Sequence, residues 1–340
     1  MSYGSQSGQI GFKTQADPAT FLDPGAANPN EGIFMKTTGG ALGVNRELLM
    51  PDAEIGGNRD TAAAYLGPVS YSGEYSFYAR LESLATLAYG ALGAKSSTDD
   101  AGVGTLLVGT HVITGADELP WLSIEETISN FDTFRYTDAK VNTLHLEADA
   151  AGYLMGTAGI VARTQTGGNV ETAAPDWDET PMLLGTKTTM LYNGAQLPAK
   201  GMTFDINNNL EDDDFRLGSI SLATVTEKRR EITAGCTIRP QDRLLWRAAV
   251  QGSSAATAPV NGATVVDDLV IETTSFEVIG TSIAYYTVTI SLPVASIKPF
   301  NLSPNGDDVL EAGLEIVALR PAVGVAACTV TIKNGLAAVR

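Results

Sequence analysis

The sequence predicts a mainly β fold with one helix per repeat, an α+β arrangement of two tandem β-sandwich or barrel domains. Three observations lead there. Short runs of alternating apolar and polar residues recur along the chain, 340 residues exceed the usual size of one domain, and three sequence blocks occur twice in the same order.

The repeat sets the frame. Val44-Asn45 and Ile55-Gly56 match Ile206-Asn207 and Leu217-Gly218, with Leu48 falling on Leu210 and Gly73 on Gly235, each pair 162 positions apart. The stretch from Arg80 to Gly93 then aligns with Arg239 to Gly252 at an offset of 159, and Leu154 to Ala162 aligns with Leu310 to Ala318 at 156. The shrinking offset reads as small deletions in the second copy. The expected organisation is an N-terminal arm over 1–29, a first domain over 30–170, a linker over 171–180 and a second domain over 181–340. The Gly, Pro and Thr content of the stretch from Thr166 to Pro175 suits an exposed connection.

Taken along the chain, Val69 to Tyr78 alternates and reads as a half-buried strand. A helix follows over about Glu82 to Leu92, where Leu84, Leu87, Ala88, Ala91 and Leu92 form an apolar stripe at helical spacing. Val141 to Glu147 alternates again. The second half repeats the series with a helix over about Gln241 to Val250 and strands over Tyr286 to Leu292 and Cys328 to Ile332. Pro240 fits the first turn of the second helix, and Gly93 and Gly252 mark the two C-terminal stops.

Composition narrows the function. With 22 basic and 39 acidic residues the net charge is −17, which argues against a surface that grips nucleic acid by neutralising phosphates. Met1 to Ser5 lacks the charged start and apolar run of a secretory signal, and no stretch reaches the length of a membrane span. A soluble protein made in the cytoplasm, without membrane insertion, is expected. Cys236 and Cys328, set in alternating strand patterns, are expected to be buried free thiols.

No chemistry-bearing constellation emerges. His111 and His145 stand alone without zinc-ligand spacing, and phosphate-cradling glycine loops, G-x-S-x-G and H-E-x-x-H are missing. The expectation is a non-enzyme with no cofactor or metal. Glu211 to Asp214 and the turn Pro304 to Asp308 are the densest acidic features; a solvated loop, an electrostatic surface and, third, a calcium site are the readings they admit. Lys228, Arg229 and Arg230 form the one basic cluster, read as an ion-pairing patch between subunits.

Several segments then fall into a series. Gln9 to Thr14 precedes an extended region, followed by Gly57-Asn58-Arg59, the element ending Leu87 to Gly93, a strand over Leu119 to Glu126, and Lys140 to Leu146. Gly201 to Asn209, Ile232 to Gly235 and Cys328 to Asn334 continue it in the second half. Together they resemble the tail tube (major tail) proteins of long-tailed phages, in a family with two tube-like halves per chain.

The resemblance implies a β-sandwich with a flanking helix that assembles into rings, stacked into a tube through which DNA travels to the host. Two halves of about four inner strands each imply a homotrimeric, pseudo-sixfold ring of about 24 strands, since 16 to 18 already leave a water channel. It further implies a virion protein assembled in the host cytoplasm, with itself, the tail tip, the tape measure and the tail terminator as partners and double-stranded DNA in transient, non-specific passage. Asn45 to Gly73 and Asn207 to Gly235 look like arms reaching neighbouring subunits or rings. Glu47, Asp52 and Glu54, with Asp212, Asp213 and Asp214, are the candidates for lumen or ring-interface electrostatics, set against plain solvated loop charge. The competing class is a non-catalytic β-sandwich binding module: an adhesin, receptor-binding or capsid decoration protein.

Overall fold

The computed structural model describes residues 7–25, 32–52, 55, 60, 63–99, 108–129, 131–261, 265–302 and 309–340. In chain order the first half holds β1 (Gln9–Thr14), β2 (Gly32–Met35), β3 (Thr37–Leu49), β4 (Tyr65–Tyr78), α1 (Leu81–Leu92), β5 (Gly93–Asp99), β6 (Gly109–Gly115), β7 (Leu122–Ile128), β8 (Asp132–Asp149) and β9 (Met155–Thr166). The second holds β10 (Thr188–Tyr192), β11 (Ala195–Gln196), β12 (Ala199–Asn207), β13 (Glu231–Ile238), α2 (Leu244–Gln251), β14 (Asp267–Val278), β15 (Tyr285–Ile297), β16 (Ala312–Ala318) and β17 (Thr329–Asn334). Among the described residues the fold is mainly β with two α-helices, and every pairing between these strands is antiparallel. The expected strands fall within observed ones, apart from Cys328, which sits one residue ahead of β17, and Leu119 to Trp121, which lie ahead of β7.

The pairing order runs β1-β7-β8-β9-β4-β3 in the first half and β10-β14-β15-β16-β13-β12 in the second. The halves are stitched together twice. The 18-residue β8 divides one edge between β7, at Asp132 to Ala139, and β12, at Thr143 to Asp149, while β9 takes the other edge. At a second place β17, close to the C-terminus, lies against β6.

One contiguous apolar core runs through both halves, from Tyr75, Phe77 and Leu84 to Phe204, Ile290 and Ile332. Each fully buried Leu, Ile or Phe in it contributes about 1.5–3 kcal/mol. Residues expected to act as connections are part of this body. Gln9 to Thr14, placed in an N-terminal arm by the sequence reading, pairs with both β2 and β7 and puts Ile10 and Phe12 into the core. Its alternation of Ile10 and Phe12 with small or polar neighbours is what a sheet strand requires.

The stretch over 171–180 is a strap rather than a free connection. Asp178 and Thr180 are buried at the N-terminus of α1. The Asp178 carboxylate accepts from the Ser83 N–H and hydroxyl, both at 2.7 Å, and Thr180 Oγ1 accepts the Leu81 N–H at 2.9 Å. They satisfy donors that the first helical turn leaves open, and the negative charge faces the positive end of the helix dipole.

α1 follows the expected span, and its apolar stripe is fully buried. α2 starts at Leu244, three residues later than the pattern suggests, and Pro240 lies ahead of it. The Asp242 carboxylate takes the Leu244 N–H at 2.8 Å, so a side-chain turn, not a proline-led first turn, starts this helix. Both helices end on glycine in the left-handed region, Gly93 at φ 102° and Gly252 at φ 82°.

Candidate functional site

Side chains along β4, β9, β8, β12, β13 and β16 alternate between the shared core and the opposite face, and the pairing registers align that outer face in rows across both halves. One row reads Ala41, Glu74, Gly159, Thr143, Asn207, Glu231. The next reads Gly39, Ser76, Thr157, His145, Asp205, Thr233, Val317, and the third Tyr78, Met155, Glu147, Thr203, Gly235, Glu315. Asp149, Gly201, Thr237 and Gly313 make a fourth. Small and hydroxyl residues keep this wall flat, six carboxylates charge it negatively, and no lysine or arginine stands in the four rows.

The cations that do touch the face are held. His145 Nδ1 lies 2.6 Å from Asp205 and its Nε2 3.7 Å from Glu147; the hydrogen bond to Asp205 raises the imidazole pKa, opposed by desolvation and aided by both carboxylate charges. Lys298 is paired with Glu315. The far end of the wall is covered by the 208–230 loop, whose Leu210, Leu222 and Val225 pack with Val161, Leu119 and Trp121 in a second, small core.

The acidic residues singled out in the sequence, where they are described, lie off this wall's four rows. Glu47 is exposed near the end of β3 and Asp52 is exposed just beyond it; Glu54 lies outside the described residues, as do Gly57-Asn58-Arg59 and the turn Pro304 to Asp308. Asp212 and Asp213 are exposed on the 208–230 loop, and Asp214 is ion-paired with Arg216 at 3.0 Å. The two arms meet where the Val69 N–H bonds the Ile220 carbonyl at 2.7 Å.

Nor does the basic cluster act as one patch. Arg230 turns inward, donating to Asn208 at 2.9 Å and to the Ala116 carbonyl at 2.7 Å, and burial pulls its pKa down. Lys228 faces Glu211 at 3.6 Å, and Arg229 is exposed. His111 is buried between Ser97 and Asn334 at 2.9 and 2.8 Å. Among the described residues no group of three His, Cys, Asp or Glu side chains could hold a metal. Cys236 and Cys328 are buried and free, their thiols pushed up to about 12 by burial.

A second surface feature is the β3–β4 hairpin. Among the described residues β3 pairs with no strand but β4, and its other edge meets only side chains, at Leu42, where Glu126 accepts the N–H at 3.3 Å and the Tyr136 hydroxyl donates to the carbonyl at 3.2 Å. Val44, Leu48, Leu49, Tyr65 and Leu66 stand about half or more exposed along the hairpin. A long, apolar, unpaired edge is an association surface.

The comparison with known families is decisive. A family model for phage tail tube protein matches residues 5–265, more than three quarters of the chain. The chain belongs to the phage tail tube protein family. No curated protein matches it significantly. As a tail tube protein it is a structural part of a phage tail with a non-enzymatic role, built to self-assemble into a tube. No helix among its described residues is long and apolar enough to cross a membrane.

Proposed function

We propose that three copies of this tail tube protein close into a pseudo-sixfold ring, that the rings stack, and that the acidic wall of Glu74, Glu147, Asp149, Asp205, Glu231 and Glu315 lines the channel for double-stranded DNA. The wall is the observation that carries this reading. A conduit must not hold its cargo, and fixed carboxylates without free lysine or arginine repel phosphates at every step of passage.

The tandem repeat is supported by the registers. Glu74 pairs with Ala41 and Gly159, and Gly235 pairs with Thr203 and Glu315. Those equivalences carry offsets of 161, 162 and 156, close to the spacing of the sequence blocks. Four wall strands in the first half, β3, β4, β9 and β8, and four in the second, β12, β13, β16 and β15, the last joined through Ser296 opposite Val317, give six halves per ring a barrel of about 24 strands, wide enough for a duplex by extension from 16- to 18-stranded channels. β12 has its outer edge filled by β8; β3, its counterpart, offers the free edge with which a ring closes. The tail tip, tape measure and tail terminator proteins are the partners at the tube's ends and interior, and assembly takes place in the host cytoplasm.

Replacing Glu74, Glu147 and Asp205 together by Lys leaves tubes visible in electron micrographs and slows DNA ejection by about tenfold or more, measured as dye-labelled DNA leaving receptor-triggered virions. The Asp212, Asp213 and Asp214 to Asn variant, which alters the loop and not the wall, has the smaller effect. Normal ejection by the wall variant would remove the channel assignment.

A further inference from the structure

We propose that the exposed face of α2 and the cleft beside it form a seam that a second copy of this chain closes, the occupant being that copy's first half. The inference rests on the self-assembly reading and names one of its contact surfaces.

α1 shows what such a site looks like when filled. It lies where the two halves of one chain meet, touching β8 and β6 of its own half and β17 and β15 of the other. Residues beyond the first half fasten both its ends. Asp178 and Thr180 hold the first turn, Arg340 Nη2 sits 3.6 Å from Glu82, and the Asn208 side chain donates to the Ala91 carbonyl at 3.0 Å.

α2 has the same chain environment, after a hairpin and ahead of a glycine stop, and none of its residues is buried. Leu244 is 52% exposed at the start of α2, and Val260, against Gln251 and Gly252 at its end, is about half exposed. A cleft of about 520 Å³ opens between the helix and the β10–β11 hairpin, lined by Tyr192, Leu197, Leu245, Trp246 and Phe300. A helix with an apolar flank open to water is missing its cover.

Charge selects the occupant. Arg243, at the N-cap of α2, and Arg247, one turn on, have no acidic partner among the described residues, in a chain of net charge −17. A second copy supplies the carboxylates. If α1 is covered by the half that follows it, the half that follows α2 is the first half of the next copy, and this succession around a closed ring gives every helix a cover.

The test is thiol labelling at the cleft. Ser254→Cys puts a thiol on the exposed rim, and the two native cysteines stay silent because only the thiolate reacts and both are buried. Maleimide labelling of the dispersed chain should be fast, and in assembled tubes, verified by electron microscopy of the same sample, at least about tenfold slower, as expected for a position enclosed by a standard-size interface. Arg243→Glu with Arg247→Glu, checked for fold by circular dichroism, should raise the concentration needed for assembly by about tenfold. Tubes that form with labelling and assembly threshold both unchanged would overturn the seam while leaving self-assembly intact. Failure of the unmodified chain to form tubes would instead overturn the reading beneath it.

Discussion

α1 and α2 each follow a long hairpin and each end on a left-handed glycine, yet they live in opposite surroundings. Ten of the twelve residues of α1 are buried, and none of the eight in α2 is. α1 is apolar on nearly every side, with Leu84, Ala88 and Leu92 at the positions that Arg243, Arg247 and Gln251 take at and along α2. The contrast teaches that two helices in like positions along a chain need not serve like roles: one is consumed as a joint inside the chain, and the other is left as a surface.

The contrast is broken most forcefully in the core. Leu84→Ala, at a position with no exposure, should cost about 3 kcal/mol in chemical denaturation, within the range for fully buried leucine. The same substitution in α2, Leu245→Ala, should cost about 1 kcal/mol because that side chain is only partly buried. Equal losses would mean that α2 is as enclosed in the single chain as α1.

Next in size is the cap. Asp178→Ala strips α1 of a buried carboxylate that accepts four hydrogen bonds and should cost about 2 kcal/mol. Asp242→Ala, removing one exposed bond from α2, should cost about 0.5–1 kcal/mol, read from the same unfolding curves.

A further difference is a pH dependence at α1. Burial, with the Asp178 charge next to it, raises the Glu82 carboxyl from 4.5 to about 7. A folded pKa above the unfolded one makes the protonated carboxyl the favoured folded form, so its contribution is complete below about 4.5 and is lost as pH rises through about 7. Unfolding free energy should fall by about 1–2 kcal/mol across that window, after allowance for partial solvent access, and Glu82→Gln should flatten the slope. An unaltered slope in that variant would assign the dependence to other groups.

How much of this was legible beforehand follows from the range of the interactions. The Leu84, Leu87, Ala88 and Leu92 stripe and the alternation of Val69 to Tyr78 are local patterns, and both elements stand where those patterns put them. Gln9 to Thr14 alternates too, but its place between β2 and β7 depends on partners more than a hundred residues away on one side. The late start of α2 turns on one Asp242 side chain competing with Pro240, a contest invisible to periodicity. The wall was missed for the same reason. The carboxylates of Glu74, Glu147 and Asp205 sit among Ser, Thr and Gly in alternating strands, so each could be placed on a strand's polar side. Only the β8–β12 register puts those sides on one surface. Dense runs such as Asp212 to Asp214 drew attention because they are contiguous in sequence, whereas a sheet face collects every second residue from many strands.

The division of β8 between two partners also has a mechanical side. At about 3.4 Å per residue, its 18 residues span about 60 Å, and the seven positions overlapping β12 form a lap joint between the halves. A pull along the strands places the bonds of that overlap in shear, so they share the strain together, whereas a pull across them opens one rung at a time. The chain is thus stiff in one direction and compliant in the other, with β8 as the tie-rod that sets which is which.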